Sequence, residues 1–162
     1  MEDAPGYERE GRIRDYYAAE LEQHRPGELL VARENSYAGT AVRADMRTID
    51  RGNVIRLWEF KLRAGHEALG QILIYVAMAR RAEGYDQPIR GVIAAFEFMP
   101  ELVDAVERMN LGLELVRLPP VLRLAGRIPA GPAVATIPVI PSPDIMFTNS
   151  STAALDQKED PL

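Results

Sequence analysis

Apolar and polar positions along this chain alternate with two periods, one of two residues and one near 3.6. Together they divide residues 7–118 into the order αβββαβαβ. In residues 7–24, Ile13, Tyr16, Tyr17 and Leu21 recur near helical spacing, and Pro26 and Gly27 end the pattern. Residues 28–35 read as a first strand, followed by a loop around Ser36 to Gly39. Residues 42–62 read as a hairpin. Apolar and β-branched flanks enclose Asp50, Arg51, Gly52 and Asn53, and Asp, Gly and Asn are turn formers. Folding about Gly52 sets Asp45 opposite Glu59 and Arg43 opposite Lys61. Glu59 and Lys61, two residues apart, then share a face.

The pattern continues with a helix over residues 65–83. Leu69, Ile72, Leu73 and Val76 form its apolar stripe, and Ile74, Ala77 and Met78 carry apolar character around it, so it is expected to be buried. Within it Gln71 and Tyr75 stand four apart on one face. After Pro88, residues 89–98 are an apolar run of the kind buried in a sheet. Pro100 begins a helix over residues 100–111, with Leu102, Val103, Val106 and Met109 as its stripe and Gly112 as its expected C-cap. Residues 113–118 read as a last strand. Beyond them, eight of the chain's 12 prolines fall within the final 44 residues. Such a stretch holds no long helix or central strand. The expected organisation is a domain over residues 1–118 and a proline-rich arm over 119–162, ending in a disordered tail from Thr148.

Composition narrows the class. At 162 residues the chain has room for a real core, and 47% hydrophobic with 27% charged residues is ordinary for a soluble globular protein. The absence of cysteine excludes disulfides and thiolate metal sites. The acidic, polar N-terminus is unlike a signal peptide, and no apolar run approaches the ~20 residues of a membrane helix, so a cytoplasmic location without a membrane partner is expected. A net charge of −5 argues against non-specific coating of nucleic acid. It leaves room for an acidic site neutralised by metal ions, with local arginines on phosphates.

The chemistry concentrates in the hairpin. Like charges directly opposed on a sheet are destabilising, so Asp45 facing Glu59 implies a metal ion between them or a shared proton. Of 19 basic residues only Lys61 and Lys158 are lysines. A chain so tilted to arginine reserves lysine for work that needs a compact ammonium, such as holding a water. An ordinary salt-bridge cluster on a solvated strand face is an equal reading of the hairpin alone. Gln71 and Tyr75 either pack against neighbouring groups or face a site beside Glu59 and Lys61. Position alone makes Glu10 a solvated helix residue and leaves His24 and His66 without ligand-like partners.

Asp45, Glu59-Phe60-Lys61 and Gln71-Ile72-Leu73-Ile74-Tyr75 together resemble the PD-(D/E)XK nuclease superfamily, in its RecB-like branch. The more specific likeness is to the catalytic domain of the NucS (EndoMS) mismatch endonucleases. There too an arginine-rich strand carries the Asp, a Glu-X-Lys strand follows, and a helix reads much like Gly70-Gln71-Ile72-Leu73-Ile74-Tyr75. Residues 91–118 look like that domain's closing strand, helix and strand. The likeness covers about residues 7–118. The superfamily's strand proline is absent, with Ala44 preceding Asp45.

The resemblance implies an α/β, restriction-endonuclease-like mixed sheet flanked by helices, and a metal-dependent DNA nuclease. Asp45, Glu59 and the Phe60 carbonyl would hold Mg²⁺, with Mn²⁺ as substitute, and Glu10 would be the first helix's acidic residue, with Glu20 as fallback. Lys61 would position water, Gln71 and Tyr75 would orient the site, and Arg43 and Arg63 would bind flanking phosphates. The extra DNA-binding domain of such proteins has no room here, so a homodimer or a protein partner, reached through the proline-rich arm, would supply grip on DNA. The competing reading is a nuclease-like fold that binds DNA or assembles without catalysis.

Overall fold

The computed structural model describes residues 6–127. The arm beyond residue 127 and the tail expected from Thr148 lie outside the described residues. Five strands, β1 (Glu28–Ser36), β2 (Arg43–Asp50), β3 (Ile55–Ala64), β4 (Ile89–Phe98) and β5 (Leu113–Arg117), form one mixed sheet in the order β1-β2-β3-β4-β5. The pairs β1/β2 and β2/β3 are antiparallel, and β3/β4 and β4/β5 are parallel. Parallel neighbours need crossovers. Helix α3 (His66–Glu83) makes the first, and α4 (Pro100–Arg108) the second. The architecture is the α/β, restriction-endonuclease-like fold anticipated from the sequence.

Strand alternation builds two cores, one on each side of the sheet. On one face Ile55, Leu57 and Ile93 meet Ile72 and Ala79 of α3 and Leu102 of α4. On the other, Met46, Trp58, Phe60 and Val92 meet Ile13 and Tyr17 of α1 (Gly6–Ala19) and Leu122 of α5 (Leu122–Ala125). Glu59 and Lys61 occupy the odd-numbered positions of β3, the set that also carries Ile55 and Leu57 toward α3. Close approach of α3 to β4 requires Gly91. A Cβ there would lie 2.6 Å from Ile72 Cγ1 and 2.7 Å from Leu113 Cδ2.

The hairpin turn forms as its residues dictate. Asp50 Oδ1 accepts hydrogen bonds from the N–H groups of Gly52 (2.8 Å) and Val54 (3.0 Å), and Asn53 adopts φ +61°. The register then pairs Met46 with Trp58, Arg47 with Leu57, Thr48 with Arg56 and Ile49 with Ile55, as the fold about Gly52 requires. Toward the turn, an ion network fastens several elements together. Glu28 Oε1 lies 2.7 Å from Arg25 and 3.0 Å from Arg56, Glu114 bonds both arginines, and Asp50 takes a further bond from Arg56. Thr48 donates to Glu28 and accepts from Trp58 Nε1.

Four local expectations are corrected. The first helix is kinked at Glu20, whose N–H is shared at 3.3 Å between the Tyr16 and Tyr17 carbonyls, so a short α2 (Leu21–His24) follows α1. Helix α3 is not buried all round: Ile72, Tyr75, Val76 and Ala79 face inward, while Leu73 and Ile74 are exposed because no second layer covers them among the described residues. Helix α4 ends at Arg108 rather than residue 111. Asn110 (φ +48°) already turns the chain into the left-handed region before Gly112. Finally, Pro119 and Pro120 do not simply extend. Their carbonyls accept from Leu122 and Arg123 and start α5, which buries Leu122 and Ala125.

Candidate active site

The β2/β3 ladder ends at the Met46–Trp58 pair. Beyond it the strands part, and the β3 edge that faced β2 loses its backbone partners. Carboxylates replace them. Asp45 Oδ2 accepts the Phe60 N–H at 2.8 Å, and Glu10 Oε1, from α1, accepts the Leu62 N–H at 3.2 Å. A strand residue's N–H and C=O lie on the same edge, so the Phe60 carbonyl faces this opening too. The Phe60 ring points the other way, 5.5 Å from the Tyr17 ring. Only its backbone belongs to the site.

Glu59 and Lys61 stand at the centre of the opening. The Lys61 ammonium lies 2.8 Å from Glu59 Oε1 and 3.7 Å from Glu10 Oε2. Glu59 is 2% exposed, and its other oxygen, Oε2, is buried and accepts no well-formed hydrogen bond. Burial, reinforced by the charge of Asp45, pushes the Glu59 carboxyl up to about 7 against the pull of Lys61. Burial likewise raises Asp45, although the Phe60 N–H and the Arg14 charge oppose it. Burial raises Glu10 as well, with Lys61 opposing. For Lys61 burial favours the neutral amine, but the bond and charge of Glu59, with Glu10 and Asp45, outweigh it and hold the ammonium above its ordinary range. The result is a half-buried, permanently charged lysine among three carboxylates that resist ionisation together.

Helix α3 supplies the far wall. Gln71 and Tyr75 both line the cleft, as their spacing on one face allows. Gln71 Oε1 is buried without a hydrogen-bond partner. The Tyr75 hydroxyl lies near Glu59, and burial together with that carboxylate pushes its pKa up, so it remains a donor at any ordinary pH. The whole cleft measures about 680 Å³. Arg43, 61% exposed, stands at its rim. Arg63 does not line it. That residue belongs, with His66, to an adjoining cavity of about 350 Å³ that shares Lys61. Glu20 pairs with His24 at 3.7 Å and is absent from the cleft lining, which leaves Glu10 as the helix acid of the site. Two charged cleft residues were missed in the sequence, Arg14 and Glu34. Arg14 was legible in principle, one helical turn after Glu10. Glu34 carried no signal in its spacing.

The donor set suits a hard divalent cation. Asp45 Oδ1, Glu59 Oε2 and the Phe60 carbonyl are all oxygens, and Glu59 Oε2 is a buried acceptor without a well-formed hydrogen bond. Glu10 enters the cleft with one oxygen on Leu62 and the other toward Lys61. Among the described residues no group of three or more His, Cys, Asp or Glu side chains gathers closely enough to hold a metal ion. Two carboxylates and a backbone carbonyl are therefore the set that would be available to such an ion.

No protein-family model matches the chain, and no curated protein matches it. Solved structures do. A repair endonuclease from Pyrococcus abyssi aligns at a TM-score of 0.58 with 23% identity, over 74% of this chain and 50% of that one. EndoMS in complex with double-stranded DNA aligns at 0.58 with 21% identity, over 74% and 48%, and apo EndoMS at 0.54 with 24% identity, over 74% and 49%. The chain has the fold of these NucS/EndoMS repair endonucleases and spans about half their length. No described helix is long and apolar enough to cross a membrane.

Proposed function

We propose that this chain is a metal-dependent nuclease that hydrolyses phosphodiester bonds in DNA. One observation carries the reading. The parted end of the β2/β3 hairpin gathers Asp45, Glu59 and Lys61 in one cleft with Gln71 and Tyr75, and leaves Glu59 Oε2 buried without a well-formed hydrogen bond. An under-satisfied, buried carboxylate oxygen close to a second acid is a ready ligand for a hard cation. The similar structures support the substrate class, since they are repair endonucleases and one of them holds double-stranded DNA.

Each side chain then has a task. Asp45, Glu59 and the Phe60 carbonyl would hold Mg²⁺, or Mn²⁺ in its place. The bound ion would polarise a phosphoryl oxygen and lower the pKa of a coordinated water. Lys61, kept charged by Glu59 and Glu10, donates toward an attacking water or toward a phosphoryl oxygen on which charge develops. Tyr75, held protonated, fixes the Glu59 carboxylate, and Gln71 offers an acceptor that orients a donor in the cleft. Glu10 braces Lys61 and the Leu62 backbone. Arg43 at the rim suits flanking phosphates, and Arg63, beyond Lys61, suits phosphates further along the strand. A second protomer or another protein would add grip on DNA. Cleavage of labelled single-stranded, duplex and branched DNA with Mg²⁺ or Mn²⁺, and its loss with chelator, tests the reading. A folded protein that cuts none of them is instead a binding or assembly module.

A further inference from the structure

Glu34 stands out among the described residues. It adopts φ +52° within strand β1, and the other left-handed residues there are asparagines or glycines. A glutamate gains nothing intrinsic from that conformation, which is strained and persists where surrounding structure enforces it. The strand pairs Arg33 with Met46 and Asn35 with Ala44, so Glu34 falls level with Asp45. Two carboxylates level on adjacent strands repel. The contacts of Glu34 lead elsewhere. Oε1 lies 3.4 Å from Arg14 Nη1, and Oε2 lies 3.7 Å from Arg43 Nη1. One carboxylate thus spans the two arginines of the cleft, one oxygen to each.

We infer that Arg14 and Arg43 form a subsite for a backbone phosphate next to the scissile one, and that Glu34 occupies it as an internal stand-in which that phosphate displaces. The inference rests on the nuclease reading and deepens it. Two non-bridging phosphate oxygens present the same pair of acceptors as the Glu34 carboxylate, with the diffuse charge that guanidinium groups favour. Arg14 is anchored for the task. Its side chain is 11% exposed, and Asp15 fixes its Nε at 3.0 Å, leaving Nη1 toward the cleft. Arg43, 61% exposed, is free to swing onto a ligand. Both Glu34 contacts are long, and the carboxylate is 49% exposed, so its hold is weak and easily exchanged. The stand-in keeps the two arginines from splaying into solvent or onto Asp45, and it lowers affinity for any anion that does not offer two oxygens.

The test is binding of a fluorescein-labelled short DNA duplex to the full chain, read by anisotropy in Ca²⁺ so that cleavage does not intervene. Glu34→Gln is compared with Glu107→Gln, an exposed position on α4 that gives the same change in net charge. The expected result is about two- to fivefold tighter binding by Glu34→Gln, the range of one displaced surface ion pair. Glu107→Gln should leave affinity unchanged, and the gain should vanish in an Arg43→Gln background. Equal affinities for Glu34→Gln and Glu107→Gln overturn the subsite even if the wild type cleaves DNA with Mg²⁺. Wild-type protein that neither binds nor cuts DNA overturns both readings together.

Discussion

Asp45 reaches across the parted hairpin to accept the Phe60 backbone N–H at 2.8 Å, taking the place of a cross-strand carbonyl. The same bond opens the sheet and arms the cleft. It satisfies the strand where pairing stops and aims the carboxylate along the edge that carries the Phe60 carbonyl. It also explains why the buried Glu59 and the half-buried Asp45 tolerate one another: Asp45 has a donor and Glu59 has Lys61, with one oxygen of Glu59 short of a well-formed bond.

That leftover oxygen sets a pH dependence. The Glu59 carboxyl is raised to about 7, so the folded protein holds this proton more tightly than the unfolded chain does. Between the ordinary carboxylate range and pH 7 the native state binds more protons, and stability falls as pH rises. Without divalent cation, urea denaturation should show a loss on the order of 2–3 kcal/mol across that window, and Glu59→Gln should remove the larger part of it, Asp45 and Glu10 supplying the rest. A wild-type profile that rises through the window contradicts the assignment.

Cation binding should expel the same proton. Ligands must be ionised to bind a hard cation. Calorimetry of Mn²⁺ binding in buffers of different ionisation heat should therefore show proton release near pH 6 that fades above about pH 8. Asp45→Asn and Glu59→Gln should each abolish the binding heat.

Packing beneath the site is equally specific. Gly91→Ala drives a methyl into Ile72 and Leu113 and pushes α3 off the sheet. Overpacking of this kind costs about 1–3 kcal/mol. Because α3 carries Gln71 and Tyr75, cleavage should fall further than the stability loss accounts for. Equal activity in the folded fraction would show that α3 does not tune the cleft.

The ion network near the turn serves the fold rather than the chemistry. Arg56, 12% exposed at its side chain, bonds Asp50, Glu28 and Glu114. Arg56→Ala takes one of its two arginines from the buried Glu28, which keeps Arg25 and Thr48, and should cost about 1–3 kcal/mol in chemical denaturation while leaving cation affinity intact.

Much of this was legible in the chain. Period-two alternation and the Asp-Arg-Gly-Asn turn set the hairpin register, which brings Asp45 to Glu59. The i, i+4 pair Gln71 and Tyr75 reached the cleft for the same geometric reason. What escaped depended on tertiary context. An apolar surround on α3 does not reveal that one side faces solvent. The role of Glu10 depends on the strands parting, which frees the Leu62 N–H to be capped. Arg63 followed the strand beyond the cleft into the neighbouring cavity. Glu34 enters the site through an unusual backbone angle that no spacing encodes.

The most direct measurement is cleavage of labelled DNA in Mg²⁺ by wild type and by Lys61→Ala, under single-turnover conditions with both proteins shown to be folded. Wild-type cutting that falls by about 10²-fold or more in the variant, the usual cost of losing one preorganised donor, is the predicted result. Equal cutting by both proteins would contradict the account, because it would place the chemistry outside the Asp45, Glu59 and Lys61 cleft.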